Sequence, residues 1–128
     1  MLYTGLYLHK ETTNMITQTE RNVQRVERMC GGKGHVVIEH LMGDKELNGK
    51  CGLFAHVTLE KDCSLGYHEH HGETETYYIL NGAGEYDDNG TKLSVSAGDV
   101  LYCKDGCGHG LVNTGRGNLD FIALIVKA

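Results

Sequence analysis

The 128-residue chain contains no proline and no tryptophan. Without proline, no prolyl bond can isomerise slowly during refolding, and no strand need be demoted to an edge on that account. Positive charge is also scarce. Lysine and arginine total 12 against 17 aspartates and glutamates, for a net charge of −5. The four arginines, Arg21, Arg25, Arg28 and Arg116, form no basic run. A nucleic-acid surface needs a clustered positive stripe, so that class of partner is set aside. No apolar run is long enough to cross a bilayer as a helix, and no secretory leader is legible. The cysteines, Cys30, Cys51, Cys63, Cys103 and Cys107, are odd in number. A cytoplasmic chain with reduced thiols is therefore expected. No second cysteine pair at finger spacing accompanies Cys103 and Cys107, which argues against a structural zinc site.

What is abundant is glycine, 18 residues spread between short apolar runs. That pattern suits many tight turns joining short strands. The length suits one domain with a real core. Residues 1–14 show no sustained period and are expected to lie outside the fold as an N-terminal extension, leaving 15–128 as the domain. Residues 17–29 are ambiguous. Val23, Val26 and Met29 follow a helical spacing, yet the same stretch could run as an extended arm. The glycines at 31, 32 and 34 then break any element. HVVIEHLM from His35 reads as a strand, and residues 43–49 as a polar turn region. In the strand CGLFAHVTLE, Leu53, Ala55, Val57 and Leu59 form the apolar face, with Phe54, His56 and Thr58 opposite. A hairpin is expected around Asn89-Gly90, and Leu119 to Val126 closes the sheet. Eight to ten short strands and no clear internal helix spell an all-β sandwich or barrel.

The chemistry sits in GYHEHHGETETYYILNG, from Gly66 to Gly82. Alternation along a strand puts His68 and His70 on one face and Glu69 on the other. Two imidazoles on one strand and Glu75 on the next can converge on a divalent cation. His109, in the stretch from Gly98 to Asn113, supplies a further imidazole. Glu73 and His71 are the nearest decoys. Tyr77, two residues beyond Glu75, points the same way and is a candidate pocket residue. His56 and His40 are weaker candidates, more often structural histidines than pocket groups.

The two stretches, 62–82 and 98–113, resemble the two motifs of the cupin superfamily. His68, His70, Glu75 and Gly82 fit the first motif, and Gly98, Gly106, His109 and Asn113 the second. Two positions depart. Asp62 stands where the first motif opens with glycine, and Lys104 where the second carries proline. The resemblance implies a double-stranded β-helix, or jelly roll, with His68, His70, Glu75 and His109 as ligands of one metal ion. The ion could be Mn, Fe, Ni, Co, Cu or Zn, since imidazole and carboxylate do not choose among them. Asn113 is expected to support turn geometry. The resemblance also implies a homodimer, the N-terminal stretch serving as an arm. A metal-dependent enzyme acting on a small oxygenated molecule is the leading expectation, by isomerase, lyase, decarboxylase or dioxygenase chemistry. The alternative is a non-enzymatic module that binds or senses a small-molecule ligand; a third possibility is a metal that serves stability alone. A fold hosts many chemistries, so the site has to decide.

Overall fold

The computed structural model describes residues 14–128. The expectation for residues 1–14 therefore falls, but for Asn14, outside the described residues. Ten strands follow in order: β1 (Val23–Glu27), β2 (His35–His40), β3 (Cys51–Leu59), β4 (Ser64–Glu69), β5 (Glu73–Asn81), β6 (Ala83–Asp88), β7 (Thr91–Ser96), β8 (Val100–Cys103), β9 (Gly108–Asn113) and β10 (Leu119–Lys127). They form a six-stranded sheet, β1-β2-β3-β10-β5-β8, and a four-stranded sheet, β4-β9-β6-β7. Every pairing is antiparallel. The inner faces of the two sheets share one core, in which Ala55, Tyr77, Ile79 and Phe121 from the larger sheet meet Leu65, Tyr86, Val95 and Leu111 from the smaller. This is the jelly roll that the strand pattern and the resemblance imply.

Alternation along each strand decides what reaches this core. On β3, Ala55, Val57 and Leu59 are buried and Leu53 packs against the core, so Phe54, His56 and Thr58 face outward. The ambiguous stretch 17–29 is extended: β1 pairs with β2, and Val26 packs against the core while Val23 is exposed. The helical spacing there yields to the backbone partners that the edge of β2 offers. Residues 43–49 differ from the expected plain turn, because a single helical turn, α1 (Asp44–Leu47), forms. The Glu46 carboxylate accepts from the Gly43 amide at 3.0 Å, and buried Leu47 anchors the turn. Asn48 and Gly49, at φ +52° and +68°, then end it. The Asn89-Gly90 turn joins β6 to β7 as expected, with both residues at positive φ.

The two departures from the motifs are accommodated without loss of the loops. Asp62 adopts φ +66°, in the left-handed region that glycine enters freely and aspartate more readily than most residues. Lys104 is exposed, and its carbonyl accepts from the Cys107 amide at 3.1 Å.

Asn113 ties two loops together. Its amide nitrogen donates to the carbonyls of Leu59 (2.9 Å), Glu60 (3.1 Å) and Gly117 (2.8 Å), while Oδ1 accepts from the Gly115 amide at 2.9 Å. The side chain is 5% exposed, so water cannot replace these bonds. Asn113→Ala should cost about 2–4 kcal/mol through several buried groups left unpaired. The check is the denaturant midpoint; an unchanged midpoint would show that the loops hold without Asn113.

Candidate metal centre

The pairing of β4 with β9 sets His68 directly opposite His109. His70 lies one residue beyond β4, held by backbone bonds to the loop before β9: its amide donates to Cys107 at 3.0 Å and its carbonyl accepts from Gly106 at 2.7 Å. Glu75 comes from the other sheet, on β5, where its alternation partners Tyr77 and Ile79 are buried in the core. The three imidazoles and the carboxylate thus meet between the sheets. The four contributed donor atoms lie within 4.8 Å of one another. His70, Glu75 and His109 are buried and His68 is partly so.

The donor atoms are too close for four unrelated side chains. Glu75 Oε1 is 2.9 Å from His70 Nε2, 3.0 Å from His109 Nε2 and 3.8 Å from His68 Nε2. The Nε2 atoms of His70 and His109 are 3.1 Å apart. Two donors at right angles on an ion with bonds of about 2.1 Å would stand about 3.0 Å apart. Nitrogen and carboxylate donors at this spacing suit a first-row divalent cation, and the cluster could hold a metal ion.

The other nitrogen of each ring has its own partner. Nδ1 of His68 meets the Gly66 carbonyl at 2.8 Å, Nδ1 of His70 the Glu73 carboxylate at 2.6 Å, and Nδ1 of His109 the Tyr86 hydroxyl at 2.8 Å. Such partners orient each ring and leave Nε2 turned to the centre. Glu73, a decoy by its spacing, thus stands behind His70. Its signal in the sequence was the i+3 separation from His70, the reach of a carboxylate across a tight turn. Tyr86 carried no such signal, because 23 residues separate it from His109.

Electrostatics binds the cluster further. Burial opposes the charged form of Glu75, but the His109 hydrogen bond and the close imidazoles of His68 and His70 outweigh it and hold its pKa at about 2. For His68, burial is likewise outweighed, by the nearby Glu75 carboxylate and the Gly66 carbonyl, and its pKa is raised. His109 goes the other way: burial dominates the pull of Glu75, so it favours the neutral ring that a ligand must be. The phenol of Tyr77 is pushed well up, by burial first and then by the Glu75 charge.

Tyr77 is 1% exposed, stacks on His109 with ring centroids 4.8 Å apart, and sets its hydroxyl 3.4 Å from His109 Nε2. It lines a cavity of about 140 Å³ that His68, His70 and Glu75 also border. The remaining walls are apolar, chiefly Met29, Val36, Ile38, Val57, Leu65 and Phe121. His56 does not join them. As a pocket candidate it is corrected by the sheet's alternation, which turns it outward between Glu39 (3.1 Å) and Asp120 (3.0 Å). His40 bonds Gln24 at 2.6 Å on the β1 side of the sheet. His71 is exposed beside Glu69.

With this geometry in place, comparison with known proteins decides the family. The family model described as the cupin domain matches residues 55–125. The chain is 41% identical over 118 residues to an oxalate-binding protein of Thermotoga maritima, covering 91% of this chain and 98% of that one. This chain belongs to the cupin family. Among solved structures, it is similar to a predicted oxalate decarboxylase from Thermotoga maritima, at 38% identity and a TM-score of 0.84, covering 89% of this cupin and 99% of that chain. A cupin-like likeness in fold alone links it to KdgF from Halomonas sp., at 18% identity and a TM-score of 0.70, over 91% of this chain and 96% of that one.

The pKa shifts fix how the metal-free cupin should respond to acid. The depressed Glu75 contributes stability that is present above its unfolded value and lost as pH falls from about 4.3 towards 2, on the order of 3 kcal/mol. His109 adds a loss as pH falls below about 6.5, because the unfolded chain takes the proton more readily. His68 has the opposite sign: its contribution is present below about 6.5 and lost as pH rises through its raised value. After chelation, melting temperature against pH should therefore fall steeply below pH 4.3, and Glu75→Gln should flatten that limb. Parallel curves for the two proteins would remove Glu75 from the account.

Proposed function

We propose that this cupin binds a compact chelating diacid of the oxalate class at a metal ion held by His68, His70, Glu75 and His109. The observation that carries the reading is the placement of three of these donors, His68, His70 and Glu75, on one wall of a small, otherwise apolar cavity, with His109 beside them in the cluster. Four protein donors on a six-coordinate ion leave two positions, which adjacent oxygens of one molecule can fill. A cavity of about 140 Å³ suits a guest of few atoms, since a void of about 150 Å³ accepts benzene, whose six heavy atoms equal those of oxalate. The relative named as an oxalate-binding protein supports the same class of ligand.

Binding is favoured over decarboxylation by what borders the cavity. Among the described lining residues, Glu75 is the sole carboxyl group and no arginine or lysine is present. The metal would supply the positive charge that meets the diacid and would act as a Lewis acid when bound. Turnover at the same centre is the second reading, and the Tyr77 hydroxyl beside His109 is the protic group that favours it. A homodimer completes the reading. Tyr78 and Leu80 on β5 and Val100 and Tyr102 on β8 are exposed together on the outer face of the larger sheet, with Tyr78 paired to Val100 across the strands. A contiguous apolar face of this kind suits a two-fold contact.

Elemental analysis of protein purified without a histidine tag or added metal should find about one first-row metal per chain, lost in His70→Ala. Calorimetry should then show oxalate binding to the loaded protein at least a hundredfold more tightly than to chelated protein, with no carbon dioxide released. Metal-free protein that takes up no metal on titration would sink the reading; carbon dioxide or formate would move it to the enzymatic alternative. Sedimentation of the same sample should give a dimer that Tyr102→Glu dissociates, whereas a monomer at high concentration would refute the dimer.

A further inference from the structure

The cavity beside the metal cluster is closed on one side by a segment outside both motifs. A short 3-10 turn, Met29–Gly31, follows β1, and the side chains of Met29 and Cys30 line the cavity together with His68, His70 and Glu75. Met29 is half-buried and packs against the core, while Cys30 is exposed at the rim. The turn is held in an unusual backbone conformation. Arg28 and Cys30, neither of them glycine, have φ of +49° and +54°, and Gly31 follows at +79°. Left-handed residues other than glycine persist only where their surroundings fix them, and they concentrate at ligand clamps and switch regions.

What fixes the turn is contact with the strand that carries His68. A Cβ built on Gly66 would lie 2.0 Å from the Cys30 carbonyl oxygen, and one on Gly32 2.2 Å from the Ser64 carbonyl oxygen. Both positions must be glycine for the turn to seat on β4. Gly66 also provides the carbonyl that meets His68 Nδ1. Hydrogen bonds within the segment complete the clamp: the Gly31 amide donates to Arg28 and the Gly32 amide to Met29, each at 3.0 Å, and the Arg28 amide donates to Gly34 at 2.8 Å. The wall that Met29 and Cys30 form is therefore fixed relative to the donor set rather than free to yield to a larger guest.

We infer that the Met29–Gly31 turn sets ligand size at the metal centre, Met29 and Cys30 admitting a two-carbon diacid and excluding its longer homologues. The inference rests on the diacid reading above. Oxalate offers two oxygens to one ion in a planar five-membered chelate. Malonate and succinate bring one and two further methylenes, which need space that the Met29 and Cys30 wall bounds on one side of the cavity. A rigid, packed wall does not accommodate added methylenes without strain. Met29→Ala removes about three methylene-sized groups from that wall, and Cys30→Gly removes the thiol while suiting the left-handed backbone.

The test is calorimetry of manganese-loaded wild type, Met29→Ala and Cys30→Gly with oxalate, malonate and succinate. Metal stoichiometry and melting temperature are read on each protein to confirm the fold. Wild type should bind oxalate at least thirtyfold more tightly than malonate. Met29→Ala should narrow that ratio at least tenfold, mainly by tighter malonate binding, and Cys30→Gly should narrow it to a smaller degree. Cys30 supplies a second readout: saturating oxalate should slow its alkylation by iodoacetamide, followed by peptide mass, at least fivefold. Oxalate binding with an unchanged selectivity ratio in the folded variants would overturn the inference and leave the diacid reading standing. Absence of oxalate binding to metal-loaded wild type would overturn the diacid reading itself, and this inference with it. If Met29→Ala does not fold, the Cys30→Gly ratio and the alkylation rate decide.

Discussion

The buried carboxylate of Glu75 is the constraint on which the rest of the site depends. A charge this deep is costly unless it is paired and hydrogen-bonded. Here one oxygen of Glu75 lies within 3.0 Å of two imidazole nitrogens and within 3.8 Å of a third. Its partners arrive from the opposite sheet, so the ion-pair cluster also fastens the two sheets at one end of the barrel. Three groups whose Nδ1 atoms are already occupied have only Nε2 left to offer, and all three offer it to the same point. Nε2 of His70 and of His109 sit 3.1 Å apart, and each is also within 3.0 Å of Glu75 Oε1. Three imidazole nitrogens and a carboxylate oxygen converging in this way make a donor set that could hold a divalent ion.

The support behind the donors is distributed through the fold. Tyr86 on β6 reaches His109 on the neighbouring β9, Glu73 opens the strand that carries Glu75, and the Gly66 carbonyl belongs to β4 itself. Tyr77 closes the inner side by stacking on His109 and meeting Phe121 in the core, with ring centroids 4.5 Å apart. Each orienting group is therefore on or beside a regular strand. A centre built on strands holds its geometry more tightly than one built on loops. The turn at residues 29–31 is the exception, since it is irregular backbone pinned by close approach to β4.

Function follows from proportion as much as from chemistry. The donor set alone is compatible with isomerisation, lyase chemistry, decarboxylation or simple ligand capture. On the proposed reading the cavity narrows this choice, because about 140 Å³ of mostly apolar space suits a guest of few atoms. Arg21 is paired with Glu39 at 3.2 Å and Arg25 with Glu27 at 3.1 Å, and neither lines the cavity.

Much of this was readable before any coordinates. Period-two alternation on β3 and β5 put Ala55, Val57, Tyr77 and Ile79 inward, because the side chains of a strand cannot do otherwise once one face is buried. The spacing of His68, His70 and Glu75, joined to His109 some forty positions later, named the four residues that the fold brings together. Other features depended on partners distant in sequence. Residues 23–27 became a strand because β2 offered an unpaired edge, which no local spacing records. The 43–49 segment closed into a helical turn because Leu47 found a buried site. His56 turned outward because the inner face of β3 was already claimed by apolar residues, and Glu73 and Tyr86 acquired their roles only when folding set them against the rings. The sequence by itself determined which side chains could bind a metal, through strand parity and residue chemistry. Only the tertiary structure decided which ring nitrogens face the centre of the cluster, how large the space beside it is, and which turn walls it, because those depend on how two sheets and one irregular segment pack.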